Sequence, residues 1–208
     1  MHIKSVEFVG AIGQIGQAAP EAVSGLAQVA FSGRSNVGKS SLINRLLGRT
    51  RSPIARVSST PGKTQEINFF RVRADDSEFA LVDLPGYGYA RAPEALREKW
   101  GKVIDEFLAQ SKALRGIVQL IDIRHGPTVD DHRAIEYLAR IGLPVLFVLT
   151  KSDKLKTQKR QAALAEISEQ LGVDVDQVLP FSVLSGQGVE ELHGALAGLV
   201  GSDGAPEI

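Results

Sequence analysis

The chain has no cysteine. That excludes disulfide staples, a thiolate nucleophile and cysteine-ligated zinc or iron–sulfur centres, and it suits a reducing cytoplasm. It has no excess of charge of either sign, because 24 Lys and Arg balance 24 Asp and Glu. The chain as a whole is no polycation, so contact with nucleic acid has to come from local patches. Long hydrophobic runs are missing too. The longest, at 145–149, falls far short of the roughly 20 residues a membrane-spanning helix needs. Residues 1–7 carry no basic stretch leading into an apolar core. A soluble cytoplasmic protein is expected, and with no heptad seam, a monomer. What is present is ordinary for a globular fold: 208 residues, 43% of them apolar, enough for one domain with a sizeable core.

Gly33-Arg34-Ser35-Asn36-Val37-Gly38-Lys39-Ser40 satisfies G-x-x-x-x-G-K-[ST] at every fixed position. A short strand-like stretch precedes it, and Ser41-Leu42-Ile43-Asn44-Arg45-Leu46-Leu47 follows with apolar residues at helical spacing. Strand, Gly-rich turn and helix N-terminus together make an anion site of inward N–H groups and partial positive charge. Lys39 is placed to reach β- and γ-phosphates, and the Ser40 hydroxyl to ligate Mg²⁺.

Strand-like segments at 29–31, 66–72, 78–82, 116–121, 144–149 and 178–181 alternate with helix-like segments at 39–47, 93–110, 128–140, 156–171 and 189–199. Several strands are almost wholly apolar, as when helices cover both faces of a sheet. This predicts a doubly wound α/β fold, mostly parallel, with 66–72 and 78–82 as a hairpin that supplies one antiparallel edge strand. Ligands of such sheets bind at the carboxyl ends of the strands, and the segments carrying polar chemistry all follow strand ends. Residues 1–24 read as an N-terminal extension, 25–200 as the nucleotide-binding domain and 201–208 as a frayed tail.

The base-reading segment separates GTPases from other phosphate-loop proteins. Thr150-Lys151-Ser152-Asp153 fits [NT]-K-x-D. Guanine presents N1–H and a 2-amino group, two donors that one carboxylate, Asp153, accepts together; adenine lacks that pair. The Lys151 stem can lie over the base, and Thr150 can tie the segment to the phosphate loop. Asp83-Leu84-Pro85-Gly86 fits D-x-x-G, with Asp83 holding Mg²⁺ through water and the Gly86 N–H sensing the γ-phosphate. In the polar stretch 58–65 a threonine hydroxyl can complete the Mg²⁺ shell, and both Thr60 and Thr64 qualify on chemistry. Phe181-Ser182-Val183 loosely fits an S-A-x loop whose backbone N–H contacts the guanine oxygen. Trp100 and His125 read as packing or orienting residues rather than catalysts.

These segments in order resemble the Era-like, translation-factor class of GTPases, and more narrowly the EngB (YihA/YsxC) family. The narrower resemblance rests on 33–44, Pro61-Gly62-Lys63-Thr64-Gln65, Asp83-Leu84-Pro85-Gly86-Tyr87-Gly88-Tyr89-Ala90, Glu98-Lys99-Trp100, Asp122-Ile123-Arg124-His125-Gly126-Pro127-Thr128 and Thr150-Lys151-Ser152-Asp153-Lys154-Leu155. It implies a P-loop GTPase fold with a mostly parallel six-stranded sheet and one antiparallel edge strand. It implies a nucleotide shell of 33–41, Gly62, Lys63, Thr64, Gln65, Glu66, 83–86, 150–153 and 181–183. Ser40, Thr64 and Asp83 would hold Mg²⁺, which decides between the two threonines, and Lys39, Thr64 and Gly86 would serve hydrolysis. It also implies a role in assembling the large ribosomal subunit, with a link to cell division and septation.

Tyr87 stands where many GTPases place a water-orienting Gln, so intrinsic hydrolysis is expected to be slow. Related GTPases use an Asn at position 36 to bind K⁺; Asn36 equally fits a role confined to shaping the turn. Basic residues Arg45, Arg49, Arg51, Arg56 and Lys63, with Arg91, Arg97, Lys99 and Lys102, suit ribosomal RNA phosphates, or form a solvated face shared with Glu94, Glu98, Asp105 and Glu106. Two rivals remain: a small GTPase gating a protein effector unrelated to the ribosome, and a metabolic kinase, which would not need Asp153.

Overall fold

The structure is a computed structural model that describes residues 1–55, 66–75, 77–88 and 94–201. Seven strands form one sheet: β1 (Ile3–Ile12), β2 (Ala27–Gly33), β3 (Ile67–Ala74), β4 (Ser77–Asp83), β5 (Leu114–Asp122), β6 (Val145–Thr150) and β7 (Val178–Pro180), in the order β1-β3-β4-β2-β5-β6-β7. β2 pairs in parallel with β4 and β5, and β5-β6-β7 continue in parallel. β3 is antiparallel to both its neighbours.

The expected fold class stands, with two differences in the sheet. There are seven strands rather than six, because residues 3–12 of the N-terminal extension pair with β3. The antiparallel strand is therefore second from the edge rather than at it. β1 escapes a periodicity reading because an edge strand buries little: only Val6 and Ile12 of its ten residues are buried. Its register also shifts twice against β3, between Ile3 and Ser5 and between Phe8 and Gly10, which breaks the period-2 pattern.

The helices are α1 (Lys39–Leu46), α2 (Glu94–Gln110), α3 (Val129–Ile141), α4 (Thr157–Leu171) and α5 (Val189–Gly201). Alternation along the central strands sends side chains to both faces. Val29, Phe31, Val118 and Leu120 meet Leu42, Ile43 and Leu46 of α1 and Leu192 and Leu196 of α5. Ala30, Val82 and Ile117 meet Val103, Phe107 and Leu108 of α2 and Leu138 of α3. Ile121, Phe147 and Leu149 meet Ile167 of α4. Fully buried strands of this kind need no polar face, which is why β2 and β5 read as near-continuous apolar runs. Two local signals fix α3: Thr128 caps it reciprocally with Asp131, and Gly142 closes it in the left-handed region at φ 75°. No helix of the described residues is long and apolar enough to cross a membrane.

Candidate functional site

β2, β4, β5 and β6 run in one direction and end at Gly33, Asp83, Asp122 and Thr150. The topology therefore delivers four sequence-distant motifs to one edge of the sheet, where open α/β sheets bind ligands.

Residues 34–38 turn from β2 into α1. Asn36 (φ 65°) and Gly38 (φ 104°) take left-handed conformations, and Gly38 sits at the helix N-cap with no side-chain cap. The first-turn N–H groups of α1, from Lys39, Ser40 and Ser41, keep their hydrogen-bonding capacity for an anion. Lys39 is 9% exposed and pairs with the Asp83 carboxylate, itself 2% exposed. The Asp83 carboxylate and the Ser40 hydroxyl are oxygen donors of the hard kind that Mg²⁺ takes, and Lys39 is a cation suited to phosphate. Leu84 and Pro85 are buried, and the Leu84 N–H donates to Phe31 O at 3.1 Å. Gly86 lies so close to the loop that a β-carbon there would be 3.2 Å from Ser35 N and 3.4 Å from Gly33 O. A side chain here would push against the phosphate loop, so glycine suits this close approach of D-x-x-G.

The base-reading segment is tied to the same loop. Thr150 Oγ1 donates to Val37 O at 2.7 Å, the tie that its place in the sequence suggested. Lys151 (φ 62°) passes its stem beside Gly38 and donates from Nζ to Asn36 O at 2.9 Å. The same ammonium lies 2.9 Å from Asp122 Oδ2, and Arg124 forks onto both Asp122 oxygens at 2.9 and 2.7 Å. Burial works against the Asp122 charge, but the bonds from Arg124 and Lys151 outweigh it and hold the carboxyl well below the usual range. Ser152 is buried and opens a 3₁₀ turn, Ser152–Lys154. In that turn Asp153 accepts from Ser182 Oγ at 2.8 Å. Phe181 and Ser182 are buried and Val183 is partly so, on the turn after β7, and the Ser185 N–H donates to Ser182 Oγ at 3.1 Å. The 150–153 and 181–183 segments thus brace one another.

Tyr87 does not face the phosphate loop with its hydroxyl. The phenol donates to Asp131 Oδ1 at 2.6 Å and accepts from Gln119 Nε2 at 2.6 Å. Burial, and then the bond to Asp131, push its pKa far up, so it stays protonated. Its backbone joins the loop: Ser35 N donates to Tyr87 O at 2.9 Å and Tyr87 N to Gly33 O at 3.4 Å.

Gly62, Lys63, Thr64 and Gln65 lie outside the described residues, as do Thr60, Arg56 and Arg91. Glu66 is described and exposed, next to Gly13 at the β1–β3 margin. His125 is exposed, and its N–H donates to Asp122 O at 3.1 Å. Two contributors gave no motif signal, and a third, Asn44, ended the 33–44 match with no role assigned to it. Gln119 and Asp131 anchor Tyr87. Asn44, 3% exposed on α1, accepts from Ile54 and Ala55 N–H, both at 2.9 Å, and donates to Ala55 O at 2.8 Å. A polar residue on an apolar helix face was the available hint for Asn44.

Comparison with known proteins settles what this edge belongs to. The 50S ribosome-binding GTPase family pattern matches residues 28–151. A probable GTP-binding protein EngB of Gemmatimonas aurantiaca is 46% identical over 96% of this chain and 95% of its own length. The chain belongs to the EngB family of GTP-binding proteins. A second EngB relative, from Desulforamulus reducens, is 43% identical over 98% of this chain and 97% of its own. The fold agrees with a solved probable GTP-binding protein engB at TM-score 0.66 and 24% identity, covering 84% of this chain and 98% of that one. It also agrees with Era solved with MgGDPNP and a fragment of 16S ribosomal RNA, at TM-score 0.71 and 23% identity over 88% and 59% of the two chains. The phosphate loop, Asp83 and the 150–153 segment of this EngB-family GTPase lie at one edge of the sheet.

Proposed function

We propose that this GTPase is a slow, GTP-operated switch in assembly of the large ribosomal subunit. It works as a monomer in the cytoplasm, and its action is needed for normal cell division and septation. Its GTPase domain spans 25–200. The observation that carries the nucleotide part is the convergence of the phosphate loop, Asp83 and Asp153 at one sheet edge, with Thr150 and Lys151 tied directly to the loop. The ribosomal part is supported by membership in a family described as 50S ribosome-binding GTPases.

In this reading, residues 33–41 cradle the phosphates, and Lys39 leaves Asp83 to meet their charge. Asp153 accepts from the guanine edge, Lys151 covers the base, and the backbone of 181–183 faces the guanine oxygen. Ser40, Thr64 and Asp83 hold Mg²⁺, which when bound neutralises charge on the β- and γ-phosphate oxygens. Gly86 N–H and Thr64 report whether the γ-phosphate is present; Gly62, Lys63, Gln65 and Glu66 complete the shell. A K⁺ ion beside Asn36 would add positive charge where the γ-phosphate leaves.

Slow turnover is supported by Tyr87, whose hydroxyl is committed to Asp131 and Gln119. No side chain at that position is then free to orient the attacking water, and a partner has to complete the site.

The test is co-sedimentation with ribosomal subunits in KCl, with a slowly hydrolysed GTP analogue against GDP. Binding to large-subunit particles with the analogue alone is expected. No binding with either nucleotide at low salt would move the function to a protein effector unrelated to the ribosome.

A further inference from the structure

A second concavity, of about 700 Å³, lies between the start of β1, the end of α1 with the turn after it, and the start of α5. It is a different place from the nucleotide site. The phosphate loop opens α1, whereas this groove takes its far end, eight residues on, about 12 Å at 1.5 Å per residue.

The groove is basic in a chain of zero net charge. His2, Lys4, Arg45 and Arg49 line it against a single lining carboxylate, Glu190. Arg45 and Arg49 have no salt bridge among the described residues. Asp75, at the margin, accepts from the His2 backbone N–H at 2.8 Å and offsets part of the Lys4 charge.

The site is built rather than incidental. Nη2 of Arg45 lies against the backbone of Gly186 (φ 81°), so close that a β-carbon there would stand 2.5 Å from it. His193, 7% exposed on α5, donates from Nε2 to Leu46 O at 2.9 Å and locks the end of α1 to α5.

We propose that this groove binds the sugar–phosphate backbone of RNA. Guanidinium groups match phosphate oxygens in a bidentate way, and Arg45, Arg49 and Lys4 bring three cations to one groove. Among the described residues its walls hold no Phe, Tyr or Trp, so bases have no stacking platform there and recognition is of the backbone, independent of sequence. Leu46, Leu47 and Val189 give the ribose an apolar floor. The choice of RNA among polyanions rests on the ribosome-assembly reading.

The test uses the full chain with a fluorescent single-stranded RNA of about 12 nucleotides, in anisotropy titrations at about 50 and about 200 mM salt. Wild type is compared with Lys4→Glu/Arg49→Glu and the milder Lys4→Gln/Arg49→Gln. Arg45 is left alone because it touches the loop that holds Ser182. Wild type should bind RNA with a salt slope of about 0.7 per phosphate contact, the charge reversal should weaken binding by about tenfold or more, and the slope should fall by about 1.4. Fluorescent GDP should bind all three proteins alike, showing that they are folded. Unchanged RNA affinity in both variants, or no RNA binding by wild type, overturns the groove. Large-subunit co-sedimentation separates the two ideas. Particle binding that the variants retain sinks the groove and keeps the ribosomal reading. RNA binding lost in the variants, with no particle binding by wild type, keeps the groove and sinks the ribosomal reading.

Discussion

At the scale of single residues, Asp122 carries more than its place in a strand suggests. It holds Lys151, and Lys151 holds the phosphate loop at Asn36. Asp122→Asn keeps the shape but leaves Lys151 and Arg124 without their carboxylate. It is expected to cost about 1–3 kcal/mol of stability at pH 7 and to weaken GDP binding. The carboxyl titrates below its unfolded value of about 3.9. Its contribution is therefore full above about pH 4 and is lost as pH falls through the depressed folded value. Urea denaturation of wild type and variant should differ at neutral pH and converge in strong acid; a constant gap would show that the charge is not the cause. Tyr87 makes a separate case. Removing its hydroxyl leaves Asp131 and the buried Gln119 short of a partner, at about 1–3 kcal/mol. Tyr87→Phe is expected to lower stability by that amount with intrinsic GTP turnover little changed. A large fall in turnover, in a variant that still folds and binds GTP, would place the phenol in the reaction.

At the scale of elements, α1 has two tasks at its two ends. Its N-terminus follows directly on the phosphate-loop turn. Further along, Asn44 fastens residues 54 and 55 to the helix by three hydrogen bonds, two of them buried. Asn44→Ala strips all three and leaves two N–H groups and a carbonyl unpaired. An expected loss of about 2–4 kcal/mol follows from that count, measurable as a fall in the urea midpoint at unchanged slope. α5 supports the far end of α1 through His193, so the groove and the nucleotide loop share one rigid helix. β1 completes the sheet by pairing with β3, and Phe8, half exposed, tilts against Phe70 across that pair at 5.7 Å between ring centres.

For the whole molecule, the nucleotide edge is a junction of four strand ends and two loops, so a ligand there ties together parts far apart in sequence. Saturating GDP with Mg²⁺ should raise unfolding stability by about 2.7 kcal/mol at a hundredfold excess over the dissociation constant. Removing Mg²⁺ with a chelator should reverse part of that, and thermal melts at graded GDP would show it; melts indifferent to GDP would contradict a nucleotide site at this edge. The sequence by itself determined the strand–loop–helix at 29–47, D-x-x-G, the Asp153 segment and the alternation that makes a doubly wound sheet. These signals are local: fixed spacings, helical or two-residue periods, and glycines where the backbone demands them. Only the tertiary structure decided the rest. β1 exists as a strand because β3 offers it an open edge. The Gln119–Tyr87–Asp131 cluster and the Asp122–Lys151–Asn36 clamp join residues 29 to 115 positions apart. The basic groove brings together the N-terminal residues, the end of α1 and the start of α5. Contacts at such separations leave no periodic trace, because the energy that fixes them comes from burial and pairing after the sheet has formed.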